Sequence, residues 1–173
     1  MSHGEPPRDA RDEPEQPEHW KTGPGEFELG TDGPAVILVG VDDTVTSLRA
    51  AAYAAGLARR QRARLIAVYV VPVASMGAAS PAGASMLVAE AEAHHQVATE
   101  LRARFDEGVR ERGISAAFIV AHGDPYREIN RVADETRADA IVVGASKQAG
   151  HRLIGSLAVR LVRAGKWPVT VVP

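Results

Sequence analysis

Short apolar runs alternate with longer segments of helical spacing from Ala35 to Pro173. The first run, Ala35 to Val41, is continuously apolar, as expected of a strand covered on both faces. The same pattern predicts further strands at 65–71, 114–120, 138–143 and 169–172. Helices are predicted over 47–62, from Pro125 onward, and over 156–164. A Gly, Ala and Ser-rich loop is predicted at 72–84, and a long helix follows it to about residue 112.

Strands that alternate with helices predict right-handed crossovers, parallel strands and helices on both faces of the sheet. The predicted fold is therefore α/β and doubly wound. In such sheets ligands bind beyond the carboxyl ends of the strands, where the strand order reverses. Three segments follow strand ends and are candidates for a site: Val41 to Thr46, Val70 to Val73, and Gly144 to Ser156.

Two adjacent carboxylates, Asp42 and Asp43, directly follow the first predicted strand. A carboxylate at this place can accept hydrogen bonds from a ribose or from the free amides of the next helix. Two interpretations stay open: Asp42 contacts a ligand, or both residues only shape the turn and cap the helix.

The predicted loop from Gly144 to Ser156 contains glycines and leads into a helix N-terminus. Glycine lets a backbone approach a phosphate closely, and the free amides and positive dipole end at Ser156 would hold it. Lys147 and Arg152 can add positive charge. The alternative is a flexible connection in which Ser156 only caps the helix and the charged side chains are solvated.

Standard catalytic patterns are absent from the sequence. It has no phosphate-binding P-loop, and no Gly-x-Gly-x-x-Gly follows the first strand. Ser146 lacks the second flanking glycine of a nucleophile elbow, because Gln148 occupies that place. His94 and His95 diverge by about 100° on a helix and make a poor metal pair, so solvated helix surface is the better interpretation. The pattern favours binding over catalysis.

These pieces together resemble the universal stress protein family. The residues that carry the resemblance are Val39 to Thr44 (VGVDDT), Val68 to Pro72 (VYVVP), Gly123 to Pro125 (GDP), Val142 to Ser146 (VVGAS), Gly155 with Ser156, and Trp167 to Val172 (WPVTVV). The resemblance covers nearly all of Ala35 to Pro173. It implies a five-stranded parallel sheet in a three-layer αβα arrangement, of the adenine nucleotide alpha hydrolase-like type, and a homodimer formed through the last strand.

The resemblance further implies that, in one branch of the family, ATP or AMP binds at the strand ends, with Mg²⁺ accompanying ATP. The positions that hold the adenosine correspond to Asp42 and Val70, and those that hold the phosphates to Gly144, Gly155 and Ser156. Lys147 stands where the family motif has its second glycine, and the segment up to Gly155 is two residues short. Lys147 has a Cβ, so it cannot reproduce a glycine's close approach, although its ammonium can replace lost amide contacts. Another branch does not bind ATP and acts through protein contacts.

The composition divides the chain at about residue 34. Met1 to Pro34 carries nine Asp or Glu and three Lys or Arg, with many prolines and few aliphatic residues, so a disordered or extended acidic tail is predicted at 1–34 and one domain at 35–173. The domain is mildly basic, which suits a small anion. Without a basic stripe interleaved with aromatic residues, nucleic acid is not expected as a partner.

The chain has no cysteine, no long apolar run and no signal-like N-terminus, so a soluble cytoplasmic protein is expected, with no membrane partner. The first hypothesis is a non-enzymatic stress-response or signalling module that binds an adenine nucleotide. The second is a dimeric module of the same fold that binds an unknown protein and not ATP. The third is an adenylyl-transferring or ATP-hydrolysing enzyme on a related fold. The absence of a Ser-Gly-Gly-x-Asp-Ser pyrophosphatase loop after the first strand counts against it.

Overall fold

The computed structural model describes residues 33–73, 81–145 and 156–173, without the side chains of 81–84 and 156. Residues 1–32 of the predicted tail, together with Lys147 and Gly155, lie outside the described residues. The elements are β1 (Val36–Val41), α1 (Val45–Gln61), β2 (Arg64–Val71), α2 (Pro81–Arg112), β3 (Ala116–His122), α3 (Pro125–Thr136), β4 (Ala140–Gly144), α4 (Ser156–Ala164) and β5 (Val169–Val172).

The five strands form one parallel sheet with the order β3-β2-β1-β4-β5. The chain moves outward from β1 to β2 and β3, then returns to the other side of β1 for β4 and β5. This arrangement confirms the predicted doubly wound α/β fold with five parallel strands. The strand order reverses between β1 and β4, so a crevice forms where these two strands end.

Helices cover both faces of the sheet and divide the core into two layers. On one face, α1 packs mainly on β1 and β4, and α2 packs on β3, through side chains such as Ala54 and Leu101. On the other face, α3 and α4 pack through side chains such as Ile129 and Leu161, both at least 98% buried. The apolar side chains of α2 and α3, among them Leu101, Phe105, Ile129 and Val132, lie on the faces that these helices turn to the core, which confirms the three-layer αβα architecture.

Several boundaries differ from the sequence-based prediction, among them the start of α2, which lies at Pro81 within the predicted loop at 72–84. Helix α1 begins at Val45 and not at Ser47, because the Thr44 side chain caps it by accepting a hydrogen bond from the Ser47 amide at 3.2 Å. Strands β3 and β4 each begin two residues later than predicted. The apolar residues before them belong to the ends of α2 and α3, where the Ile114 and Ala138 amides bond back to Val109 and Ala133 carbonyls.

Among the described residues, no helix has both the length and the apolar character needed to cross a lipid bilayer. The long α2 reaches 32 residues but includes charged side chains throughout its second half.

Candidate functional site

A cavity of about 650 Å³ opens at the carboxyl ends of β1, β2 and β4, within the usual size range of small-molecule sites. Asp42, Val70 and Gly144, one from each of the three predicted segments, all contribute to its wall. The turn after β1 and the first turn of α1 form one side. Pro125 and Ile129 of α3 and Leu157 of α4 are among the residues that close the other. The topology thus brings together the described candidates that the sequence indicated.

The turn after β1 is held by its own side chains. The Asp42 carboxylate accepts hydrogen bonds through Oδ1 from the Thr44 amide at 2.9 Å and from the Thr44 hydroxyl at 2.5 Å. The Ser47 hydroxyl donates to the Asp42 carbonyl at 3.1 Å and accepts from the Asp42 amide at 2.6 Å. These bonds fix the start of α1 against the end of β1.

The same turn leaves Asp42 available to a ligand. Its Oδ2 has no hydrogen bond to any residue that the structure describes, and Asp42 is the single charged side chain among the described residues of the cavity wall. The two interpretations of Asp42 are therefore compatible, because Oδ1 shapes the turn while Oδ2 stays free to accept a bond. Asp43 is exposed and does not line the cavity.

Sequence reasoning missed the hydroxyl residues Thr44, Thr46 and Ser47, all of which line the cavity. Thr46 and Ser47 are buried, although they are polar and belong to the first turn of a helix. Thr is a common N-cap residue, and Thr44 directly before the residues of helical spacing is a signal that could have placed the helix start correctly. The positive end of the α1 dipole consequently lies at the cavity.

Gly144 has a structural reason to be glycine. A Cβ at this position would lie 2.7 Å from the Ser47 amide nitrogen and 2.9 Å from the Thr46 carbonyl oxygen. Both are backbone atoms of the first turn of α1, which cannot move aside as a flexible side chain would. The glycine therefore allows α1 to approach β4, whether or not a phosphate also binds beside it.

The second strand directs neighbouring side chains to opposite faces. Val70 lines the cavity on the α3 and α4 face, whereas Tyr69 is buried on the other face with its hydroxyl 2.9 Å from His94 Nδ1. Burial raises the pKa of Tyr69, and the negative charges of Asp43 and Asp42 raise it further. His94 was interpreted as solvated helix surface; it is instead half-buried and bonded to this tyrosine. His122 ends β3, exposed and away from the cavity wall.

A cluster of three side chains ties α3 to α4 beside the cavity. Asp124 caps α3 by accepting from the Arg127 amide at 3.0 Å, and it pairs with Arg160 of α4 at 3.3 Å. The Arg160 guanidinium lies 4.1 Å above the Tyr126 ring. The bond from the Arg127 amide and the bond from Arg160 lower the pKa of Asp124. The pairing of Arg160 with Asp124 could not be predicted from the sequence, since the two residues are 36 positions apart.

Two of the remaining predicted site residues, Lys147 and Gly155, lie outside the described residues, and the third is Ser156. Ala145 lines the cavity and precedes the segment 146–155, which contains Lys147 and Gly155. Ser156 begins α4, and its neighbour Leu157 lines the cavity again. Within the described residues, no group of three or more Asp, Glu or His side chains is arranged to hold a metal ion.

A model of the universal stress protein family matches residues 35–173. The chain belongs to the universal stress protein family. A universal stress protein of Methanocaldococcus jannaschii is 29% identical over 138 residues, which cover 79% of this chain and 80% of that protein. These matches confirm the resemblance stated from the sequence motifs.

Solved universal stress proteins share the fold. The structure of UspA from Lactobacillus plantarum has 28% sequence identity and a TM-score of 0.66, covering 80% of this chain and 97% of that one. A universal stress protein in complex with cAMP has 25% identity and a TM-score of 0.62, covering 82% of this chain and 98% of that one. The five-stranded αβα sheet of this universal stress protein is thus the adenine nucleotide alpha hydrolase-like fold that was expected.

Proposed function

We propose that this universal stress protein is a cytoplasmic stress-response or signalling module, and not an enzyme, that binds an adenine nucleotide at the edge where β1 and β4 end. The observation that carries the proposal is the cavity of about 650 Å³ with Asp42 Oδ2 free on its wall. A mostly apolar pocket with few polar groups is typical of small-molecule sites. The cAMP complex of a similar protein supports an adenine nucleotide as the ligand.

The adenosine half of the ligand fits the described wall. Asp42 Oδ2 would accept hydrogen bonds from the ribose hydroxyls, as acidic residues after a strand do in other doubly wound folds. Val70 and the neighbouring apolar side chains Val68 and Ile129 offer a surface for the base. Gly144 would lie beneath the ligand at the end of β4.

The phosphate half is assigned to the segment that connects Ala145 to α4. Gly144 and Gly155 would allow close backbone approach, Ser156 would offer the amides at the start of α4, and Lys147 would add its ammonium. ATP or AMP satisfies this arrangement. Any Mg²⁺ would arrive on the phosphates of ATP, because the described residues offer no metal cluster of their own.

Calorimetric titration of Lys147→Ala tests this assignment. We expect the affinity for ATP to fall about ten- to hundredfold, because a hydrogen bond to a charged group contributes about 1.5–3 kcal/mol. Adenosine has no phosphate and should bind about as well as before. The matched control is Lys166→Ala, which removes an equal charge that pairs with Asp134. Equal losses for ATP and adenosine, or an equal loss in the control, would contradict the role of Lys147.

The alternative is a protein-interaction module of the same fold that leaves the cavity empty or fills it with another ligand. Mass spectrometry of small molecules released from the purified, denatured protein distinguishes the two. The nucleotide proposal expects an adenine nucleotide in that fraction, or saturable binding when nucleotide is added.

A further inference from the structure

A second concave surface lies on the opposite face of the sheet, between α1 and α2. This groove has a volume of about 210 Å³, and its floor is formed by Val41, Leu65 and Phe118, each at least 91% buried. Small-molecule sites usually enclose about 300–1,000 Å³. The groove is therefore better suited to a few apolar side chains of a larger partner than to a free small molecule.

The walls of the groove are one face of α1 and one face of α2. Leu48, Ala51, Ala52 and Ala55 of α1 are spaced so that they share one side of the helix, and Leu101, Phe105 and Val109 face them from α2. The short alanine side chains leave the space between the helices open, and Leu48 keeps 36% of its surface exposed. A helix that presents apolar residues at the same spacing can insert them here.

The charged side chains that line the groove are positive. Its described wall residues include Arg104 and Arg112 and no acidic residue, and α1 carries three arginines and no Asp or Glu along its whole length. Arg104 pairs with Glu100 at 3.8 Å and Arg112 with Glu111 at 3.4 Å, and all four side chains are largely exposed. Arg112 also donates to the Gly108 carbonyl at 2.8 Å. Exposed ion pairs contribute little, so carboxylates of a partner can compete for these guanidinium groups.

We propose that this groove binds an acidic amphipathic helix of a partner protein. Apolar side chains at positions i, i+3 or i+4, and i+7 would enter between α1 and α2, and carboxylates beside them would bond Arg104 and Arg112. The proposal does not rest on nucleotide binding, because the groove shares with the nucleotide cavity only Val41 among the described wall residues.

The test is a selection from a displayed library of helical peptides, randomised in both apolar and charged positions, on the full chain. One groove variant combines Arg104→Glu with Arg112→Glu, and the other is the single substitution Ala52→Glu. The double variant has as its control Arg110→Glu combined with Arg163→Glu, and the single variant has Ala103→Glu. The controls make the same charge changes at exposed positions outside the groove. Since all six positions are exposed, these variants are expected to fold, and thermal melting checks that they do.

We expect selected peptides to carry net negative charge and an apolar stripe of helical spacing. Each groove variant should weaken their binding at least about tenfold, and each control less than about twofold. The proposal is overturned if the peptides are neutral or basic, if groove and control variants behave alike, or if no peptide binds more tightly than about 100 µM. It is also overturned if the wild type sediments as a dimer and the groove variants sediment as monomers, because a second copy would then cover the groove.

Discussion

Gly144 shows that a single position can be determined by packing between elements. The first turn of α1 occupies the space that a Cβ at this position would need. We expect Gly144→Ala to lower the free energy of unfolding by about 1–3 kcal/mol, the usual cost of overpacking against atoms that cannot relax. Urea denaturation measures this change directly.

A matched glycine in α1 provides the control for that substitution. A Cβ at Gly56 would meet only the end of the flexible Arg60 side chain, at 3.4 Å, in the interior of a helix. Gly56→Ala should therefore raise stability by up to about 1 kcal/mol, because alanine has the higher helix propensity. If Gly144→Ala is as stable as the wild type, the start of α1 can shift and the glycine is not required by packing.

Single residues also show what the sequence could not reveal about the site. The position of Asp42 after an apolar run was enough to place it at the strand ends, where the cavity opens. Nothing in the sequence could assign its two oxygens, because the bond from Thr44 to Oδ1 depends on the conformation of the turn. The reason for Gly144 was likewise hidden, since it lies in a contact with residues about 100 positions earlier in the chain.

At the scale of elements, the Asp124 carboxylate caps α3 and pairs with Arg160 of α4. The pKa of Asp124 is lowered in the folded protein. Its contribution to stability is thus fully present above the ordinary aspartate pKa of 3.8 and is lost as the pH falls through the lowered value. Asp124→Asn keeps an N-cap acceptor and removes the charge, so we expect it to cost no more than about 1 kcal/mol at pH 7.

Denaturation curves across the acid range check this dependence. The difference between wild type and Asp124→Asn should shrink as the pH falls below 3.8. Asp106→Asn is the control, because Asp106 is exposed on α2 with no partner among the described residues. A difference that is constant with pH would mean that the charge on Asp124 contributes nothing to the stability of the folded protein.

The number, type and order of elements followed from the apolar pattern, while their ends did not. Both late strand starts have one cause. An apolar residue just after a helix, Ile114 or Ala138, packs back and is buried, so a pattern of apolar residues assigns it to the next strand. The hydrogen bonds of the helix ending show that each of these residues belongs with the preceding helix and not with the strand. Arg137 adopts a left-handed conformation there, which composition alone does not indicate.

For the whole molecule, the outer edge of β5 is the surface on which we expect a homodimer to form. The Ile141 amide bonds the Pro168 carbonyl and the Ala145 amide bonds the Val172 carbonyl, so alternate residues of β5 face β4. Val169 and Val171 consequently direct their backbone groups to the open edge. An unpaired edge is a template for a second strand.

Val171→Pro tests the dimer without removing a hydrogen bond to β4. Proline lacks the outward amide and is tolerated on edge strands, so the fold should persist while sedimentation shifts toward the monomer. Thermal melting of the same sample checks the fold. A wild-type protein that sediments as a monomer at micromolar concentration would contradict the dimer.

The most direct test of nucleotide binding is calorimetry on two neighbouring carboxylates, one on the cavity wall and one off it. Asp42→Asn replaces the free acceptor and should weaken adenosine, AMP and ATP alike, about ten- to hundredfold, because it acts on the nucleoside end. Asp43→Asn removes the same charge one residue away and should leave all three affinities within about twofold. Wild-type protein that gives no heat with ATP, ADP or AMP at millimolar concentration, and carries no nucleotide when purified, would contradict the account.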